Sequence, residues 1–217
     1  MKDSVIILSG GMDSVTLLHD YRERIAVAVT FDYHARQAER EIECARWQCE
    51  HLGIRHVVLE IPFMEQYFRS ALFASGGEAV PDGSYSDENQ RSTVVPFRNG
   101  IMLAVATGLA ESEGLSHVLI ANHAGDHAIY PDCRAEFVDA MSAAMQAGTY
   151  DGVSLLSPYT HLDKRQIALR GRELGVDFAH TYSCYNGGAE HCGTCATCIE
   201  RREALAGFDP TAYAVAK

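Results

Sequence analysis

Val5-Ile6-Ile7-Leu8-Ser9-Gly10-Gly11-Met12-Asp13-Ser14-Val15 is the stretch whose reading decides the fold. An apolar run, a glycine turn between two serines and a helix-like continuation (Val15-Thr16-Leu17-Leu18-His19) are the parts of a phosphate cradle. Gly10 and Gly11 can take backbone angles closed to other residues and leave room for an anion. Free N–H groups at the helix start then point at that anion, aided by the positive end of the helix dipole. Ser9 and Ser14 add hydroxyl donors. The simpler alternative is a helix N-terminus capped by Asp13 or Ser14, with the glycines merely turning the chain. One cap does not require two glycines between two serines. The spacing is neither that of the Walker loop nor that of the dinucleotide fingerprint.

Working outward, strand-like apolar runs alternate with helix-periodic segments. Strands are expected at Val5–Leu8, Ile25–Asp32, His56–Ile61, His117–Ala121 and Val153–Leu156. Helices are expected at Ser14–Arg24, Glu39–Leu52 (closed by Gly53), Phe63–Ala74, Arg98–Gly114, Glu136–Ala147 and Lys164–Leu174 (ended by Gly175). Ser75 to Thr93, rich in Gly, Pro, Asp and Ser, reads as a long surface loop. The alternation implies an α/β fold: an open, mostly parallel sheet with helices on both faces. Ligands in such sheets gather at the carboxyl ends of the strands.

The chain has 217 residues, enough for one substantial core and a small appendage. Its formal net charge of −11 argues against a broad nucleic-acid surface, which needs basic patches. No apolar run approaches the roughly 20 residues that span a bilayer. Met1-Lys2-Asp3-Ser4 enters a strand at once and lacks a signal-peptide core, so the cytoplasm is the expected compartment. There, seven cysteines do not read as a disulfide framework. Cys44 and Cys49, five apart in a helical pattern, read as small buried hydrophobes.

Cys184-x7-Cys192-x2-Cys195-x2-Cys198 supplies four thiolates within one short segment. Four sulfurs at roughly 2.3 Å from one ion suit tetrahedral zinc, and a closed site of that kind is structural. His191 could replace one ligand. The rival is an iron–sulfur cluster, since C-x2-C-x2-C also opens the bacterial ferredoxin pattern, although no Cys-Pro follows here.

Further polar stretches follow the expected strands. Asp32, in Phe31-Asp32-Tyr33-His34, can hold a magnesium ion or a nucleotide hydroxyl, or cap a helix. Pro96 biases Val95 to extended geometry, so Arg98 and Asn99 are expected at a strand end. Asn122-His123-Ala124-Gly125-Asp126-His127 and Tyr130-Pro131-Asp132-Cys133-Arg134 form a dense polar cluster. Tyr130 can stack on a planar base. Asp126 or Asp132 can accept from an amidine-like N–H edge, and Asp132 can at the same time cap the helix that starts near Arg134. Arg134 can grip a carboxylate with its planar fork. Cys133 shows no paired base in the sequence. Lys164 opens a helix, where a cation opposes the dipole and therefore calls for an anion to neutralise.

Ser9 to Ser14 resembles the pyrophosphate loop of the ATP pyrophosphatases, which split ATP into AMP and pyrophosphate. With Phe31-Asp32-Tyr33, Val95-Pro96-Phe97-Arg98-Asn99, Asp126, Tyr130 to Arg134, Lys164 and Ser183-Cys184-Tyr185 plus the cysteine tail, the chain resembles the 7-cyano-7-deazaguanine synthase family along nearly its whole length. It departs at His34-Ala35-Arg36-Gln37, where that family often has Gly-Gln-Arg-His, and at Ala121, where Gly is common. The resemblance implies an adenine nucleotide alpha hydrolase-like domain over 1–180 and a zinc-binding segment over 181–217. It implies an AMP-forming ligase that turns 7-carboxy-7-deazaguanine and ammonia into the nitrile, with ATP and Mg2+ and one structural zinc held by Cys184, Cys192, Cys195 and Cys198. Nucleotide binding falls to Leu8, Ser9, Gly10, Gly11, Met12, Asp13, Ser14, Val15 and Asp32. Asp13, Ser14, Lys164 and Arg98 carry catalysis, and Asp126, Tyr130, Asp132 and Arg134 contact the substrate. Its partners are small molecules, not nucleic acid or membrane, and the expected assembly is a homodimer. A tRNA sulfur transferase with a cluster at the cysteines, or a non-catalytic zinc-ribbon module, are the competing readings.

Overall fold

Strand β1 (Ser4–Ile7) lies in the middle of a five-stranded sheet, between β2 (Ile25–Asp32) and β4 (His117–Leu119). With β3 (Arg55–Glu60) and β5 (Ser154–Leu156) the order is β3-β2-β1-β4-β5, and every pairing is parallel. The computed structural model describes residues 2–84, 91–126 and 130–215, and for Asp126 the backbone only.

The helices are α1 (Met12–Asp20), α2 (Ala38–Leu52), α3 (Phe63–Tyr67), α4 (Arg98–Ser112), α5 (Ala135–Gly148), α6 (Lys164–Glu173) and α7 (Ala196–Ala204). Successive side chains of a strand face opposite sides. In β1, Val5 joins a core with Met102, Leu103 and Ala106 of α4 and Val138 of α5. Its neighbour Ile6 joins the other core, with Leu17 and Leu18 of α1, Ala45 of α2 and Ile167 of α6. A parallel strand buried on both faces reads as a continuous apolar run for this reason. Arg91–Ser112, apolar and long enough by composition to be weighed as a membrane span, places Val95, Met102, Leu103, Ala106 and Ala110 in the first of these cores.

The chain moves outward from β1 to β3 on one side, then returns to build β4 and β5 on the other. The strand order therefore reverses between β1 and β4, where a crevice opens at the carboxyl ends.

The structure corrects several expectations. The helix expected over Phe63–Ala74 ends at Tyr67, because Phe68 turns extended. Leu72 and Phe73 instead pair with Arg36 and Ala35 in a strand-like contact, burying Ala71, Leu72 and Phe73. Helix α1 starts two residues before the expected Ser14, and its N-cap is Gly11, not Asp13 or Ser14. Arg98 and Asn99 open helix α4 rather than following a strand. The expected loop contributes a buried Val80 and an Asp82–Cys195 bridge that tie it to the cysteine segment, while residues 85–90 lie outside the described residues.

Candidate active site

The crevice between the ends of β1 and β4 deepens into a cavity of about 220 Å³. One wall is the glycine turn. Ser9 Oγ lies 3.0 Å from Ser14 Oγ, the Gly11 N–H donates to Ser9 Oγ (3.2 Å), and the Ser9 N–H donates to Ser14 Oγ (3.2 Å). No side chain caps α1. Its first-turn N–H groups are thus left for a ligand, as an anion site requires.

Packing alone already requires a glycine at position 10. It sits at φ +82°, and a Cβ there would overlap the Glu41 carbonyl of α2. Gly10→Ala is expected to cost roughly 3 kcal/mol or more, combining an unfavourable φ with a backbone clash. Gly53, at φ +64° with open space around it, provides the contrast. Gly53→Ala should cost only about 1–2 kcal/mol. Thermal melts of the two variants check the difference.

On the β4 side, Lys164 Nζ donates to Glu200 Oε2 at 2.6 Å and lies 3.6 Å from Asp13 Oδ2. His123 Nε2 is 3.8 Å from the same Asp13 oxygen. Asp163 caps α6 in a reciprocal box with Gln166, which fixes Lys164 at the first helical position. The anions expected beside Lys164 are therefore protein carboxylates in part. Asp13 Oδ1 is buried without a hydrogen-bond partner among the described residues. An orphaned carboxylate oxygen suits a divalent cation.

On the β2 side, Arg98 Nη1 donates to Tyr33 Oη at 3.2 Å, and its guanidinium stands 5.8 Å from the Tyr33 ring centre. Burial opposes the charge on Arg98, but Tyr33, Tyr185, Tyr130 and Asp132 outweigh it and hold its pKa well above the usual value. Phe97, just before it, has φ +52°, a costly conformation for a non-glycine residue and one typical of functional sites. Phe31, Tyr33, Tyr130, Tyr182 and Tyr185 give the cavity aromatic walls suited to planar rings.

Of the residues named from sequence, Leu8, Ser9, Gly11, Met12, Asp13, Ser14, Arg98, Tyr130 and Lys164 line this cavity. Val15 is fully buried in the core under α1. Asp32 Oδ1 accepts the His34 N–H (2.9 Å), closing a turn after β2. Arg36 is tied to the carbonyls of Ala71 and Glu78. Asp132 Oδ2 accepts the Asn99 N–H (2.9 Å) in the first turn of α4, so it caps that helix and not α5, whose N-cap is Arg134. Arg134 is exposed and off the cavity wall. The Asp126 side chain and His127 lie outside the described residues. Sequence reasoning gave no role to Gln37, which it noted only in the stretch that departs from the family pattern, or to Glu41 and Glu200, which no local motif marks.

The four cysteines gather beside, not in, the cavity. Their sulfurs lie within 4.8 Å of one another, with Cys192 Sγ 3.8 Å from Cys198 Sγ. A zinc tetrahedron with bonds of roughly 2.3 Å has edges of about 3.8 Å. The N–H groups of Thr194 (3.4 Å) and Cys195 (3.3 Å) donate to Cys192 Sγ, which favours a thiolate. The group can hold a metal ion, and zinc fits it. Gly187, at φ +71°, brings this segment against the Arg36 carbonyl, where a Cβ would clash.

Comparison with known proteins agrees with this geometry. The family model described as queuosine biosynthesis protein QueC matches residues 3–209. The 7-cyano-7-deazaguanine synthase of Porphyromonas gingivalis is 56% identical over 215 residues, covering 98% of this chain and 97% of its own. Those of Desulfotalea psychrophila (49% identity; 99% and 100% covered) and Methanoregula boonei (43%; 97% and 98%) are similar throughout. Among solved structures, the NMN synthetase of Francisella tularensis superposes with a TM-score of 0.52 at 16% identity, over 87% of this chain and 68% of that one, and shares the fold. With the cradle, the switch-point cavity and the four-cysteine cluster all in one matched stretch, the chain belongs to the QueC family of queuosine biosynthesis proteins.

Proposed function

We propose that this chain is an AMP-forming 7-cyano-7-deazaguanine synthase. The observation that carries this reading is the meeting of the Ser9–Ser14 cradle with Asp13 and Lys164 at the β1/β4 crevice, in a chain 56% identical to a synthase of that name. A carboxylate is a poor electrophile. Transfer of AMP from ATP to the carboxylate of 7-carboxy-7-deazaguanine makes its oxygen a good leaving group and releases pyrophosphate. Ammonia displaces AMP and leaves the amide. A second ATP activates the amide oxygen, and loss of AMP with a proton leaves the nitrile.

The chain's own residues position and neutralise. The α1 N–H groups and the Ser9 and Ser14 hydroxyls hold the departing pyrophosphate, with Lys164 as the cation beside it. Asp13 suits Mg2+, which would shield phosphate charge when bound. Arg98 faces the substrate from the β2 side. The four cysteines hold a structural zinc. None of them lines the cavity among the described residues, which disfavours a sulfur-transfer role.

The test is stoichiometry. Each nitrile, identified by product mass, is expected with two AMP and two pyrophosphate. Release of ADP and phosphate would sink the adenylation chemistry.

A further inference from the structure

Gln37, at the N-cap of helix α2, and Glu41, in its first turn, line the β2 side of the cavity with acceptors that have no donor among the described residues. Tyr33 Oη accepts from Arg98 Nη1 (3.2 Å) and from Gln37 Nε2 (3.3 Å). Gln37 is 1% exposed, and its Oε1 has no hydrogen-bond partner among the described residues. An unmet buried acceptor is costly unless a ligand supplies the donor. One helical turn on, and so on the same face, is Glu41. Its carboxyl group lines the same cavity and makes no hydrogen bond or ion pair among the described residues. Burial pushes Glu41 up to about 8, opposed by the charge of Arg98, and N–H donors from a bound ring would draw it back to the accepting carboxylate.

Two acceptors side by side match two donors side by side. The ring N–H and exocyclic amine of a 2-amino-4-oxopyrimidine offer this pair. Adenine offers one amine beside a ring acceptor, which a carboxylate and a carbonyl oxygen repel. The aromatic walls from Phe31, Tyr33 and Tyr185 suit the ring itself.

We propose that Gln37 and Glu41 read the N–H edge of the substrate's base, Gln37 Oε1 and the Glu41 carboxylate each accepting from one of its two adjacent donors. The assignment rests on the synthase reading above and names the part of the site that selects a guanine-type ring over other carboxylated heterocycles. On the same reading the phosphates of ATP fall to the α1 N–H groups of the cradle, not to these two side chains.

Steady-state kinetics of the full chain test it, with 7-carboxy-7-deazaguanine and with the analogue lacking the 2-amino group. Glu41→Gln keeps the size of the side chain but turns one acceptor into a donor. It is expected to raise KM for the base by about 10- to 100-fold, leaving KM for ATP within about two-fold. The wild type is expected to disfavour the desamino analogue by at least about ten-fold, and Glu41→Gln to lose most of that preference. Gln37→Met, which removes the acceptor at similar volume, should show the same split if Glu41→Gln is insoluble. A rise in KM for ATP with KM for the base unchanged would overturn the assignment in favour of the nucleotide. So would discrimination against the analogue that both variants retain. A wild type that makes no nitrile would instead overturn the reading of function, and this assignment with it.

Discussion

Lys164→Ala is expected to lower kcat by roughly 10²–10³-fold, the scale seen when one donor to developing charge is removed. Its ammonium lies 2.6 Å from Glu200 and 3.6 Å from Asp13, where pyrophosphate would depart from the cradle. Charge builds on that leaving group as the acyl phosphate forms, so the loss should fall on kcat more than on KM for ATP. Removing Lys164 also leaves two carboxylates facing a cation they no longer have. A stability loss could then masquerade as a catalytic one. Lys164→Ala combined with Glu200→Gln separates the two, because it removes one of the stranded charges. The double variant is expected to recover most of the melting temperature lost in the single one and none of the activity. Recovery of turnover in the double variant would show that Lys164 acts only by neutralising its neighbours. Full activity in Lys164→Ala would remove it from the chemistry.

The parts of this fold legible in the sequence are those encoded locally. Val5 to Leu8 is apolar at successive positions because β1 is buried on both faces, and Gly53 marks a left-handed helix end. The cradle and the cysteine cluster were legible because their chemistry needs particular residue types at short spacing. What was not legible depends on partners far along the chain. Leu72 and Phe73 have helical periodicity with Met64 and Phe68, yet pairing with Ala35 and Arg36 makes them strand-like. The sequence places the cap made by Asp132 on α5. It caps α4 instead, because the fold brings Asn99 to it. The dipole argument at Lys164 called for an anion but could not supply Glu200, which α7 delivers from 36 positions away. Gln37 and Glu41 look like ordinary polar residues of an amphipathic helix until the cavity beside them is seen.

Cys195→Ala is expected to lower the melting temperature by about 10 °C or more and to remove one zinc per chain. The segment around the four sulfurs has a small apolar core: Val80, Tyr182 and the cysteines themselves. Metal binding must therefore supply much of its order, and structural zinc contributes on the order of 10 kcal/mol in small isolated sites. Even a third of that corresponds to about 10 °C in a chain of this length. The effect should reach activity through helix α7. Cys195 is its N-cap and Cys198 lies in its first turn. Two residues further on, Glu200 holds Lys164, and the fully buried Arg201 donates to the Phe178 carbonyl (2.7 Å) and to Ser183 Oγ (3.1 Å). Loosening the metal end of α7 would then free Lys164 from its place beside Asp13, so kcat should fall although none of the four cysteines lines the cavity. Cys49→Ala provides the control. That thiol is buried in the core under α2, where burial raises it to about 12, and it takes no part in the cluster. Its loss should cost about 1 kcal/mol, as for a small buried apolar side chain, and leave the zinc content at one per chain. Equal losses in the two variants would refute the special role of the cluster. Iron with visible absorbance in anaerobically purified protein would replace zinc by an iron–sulfur centre.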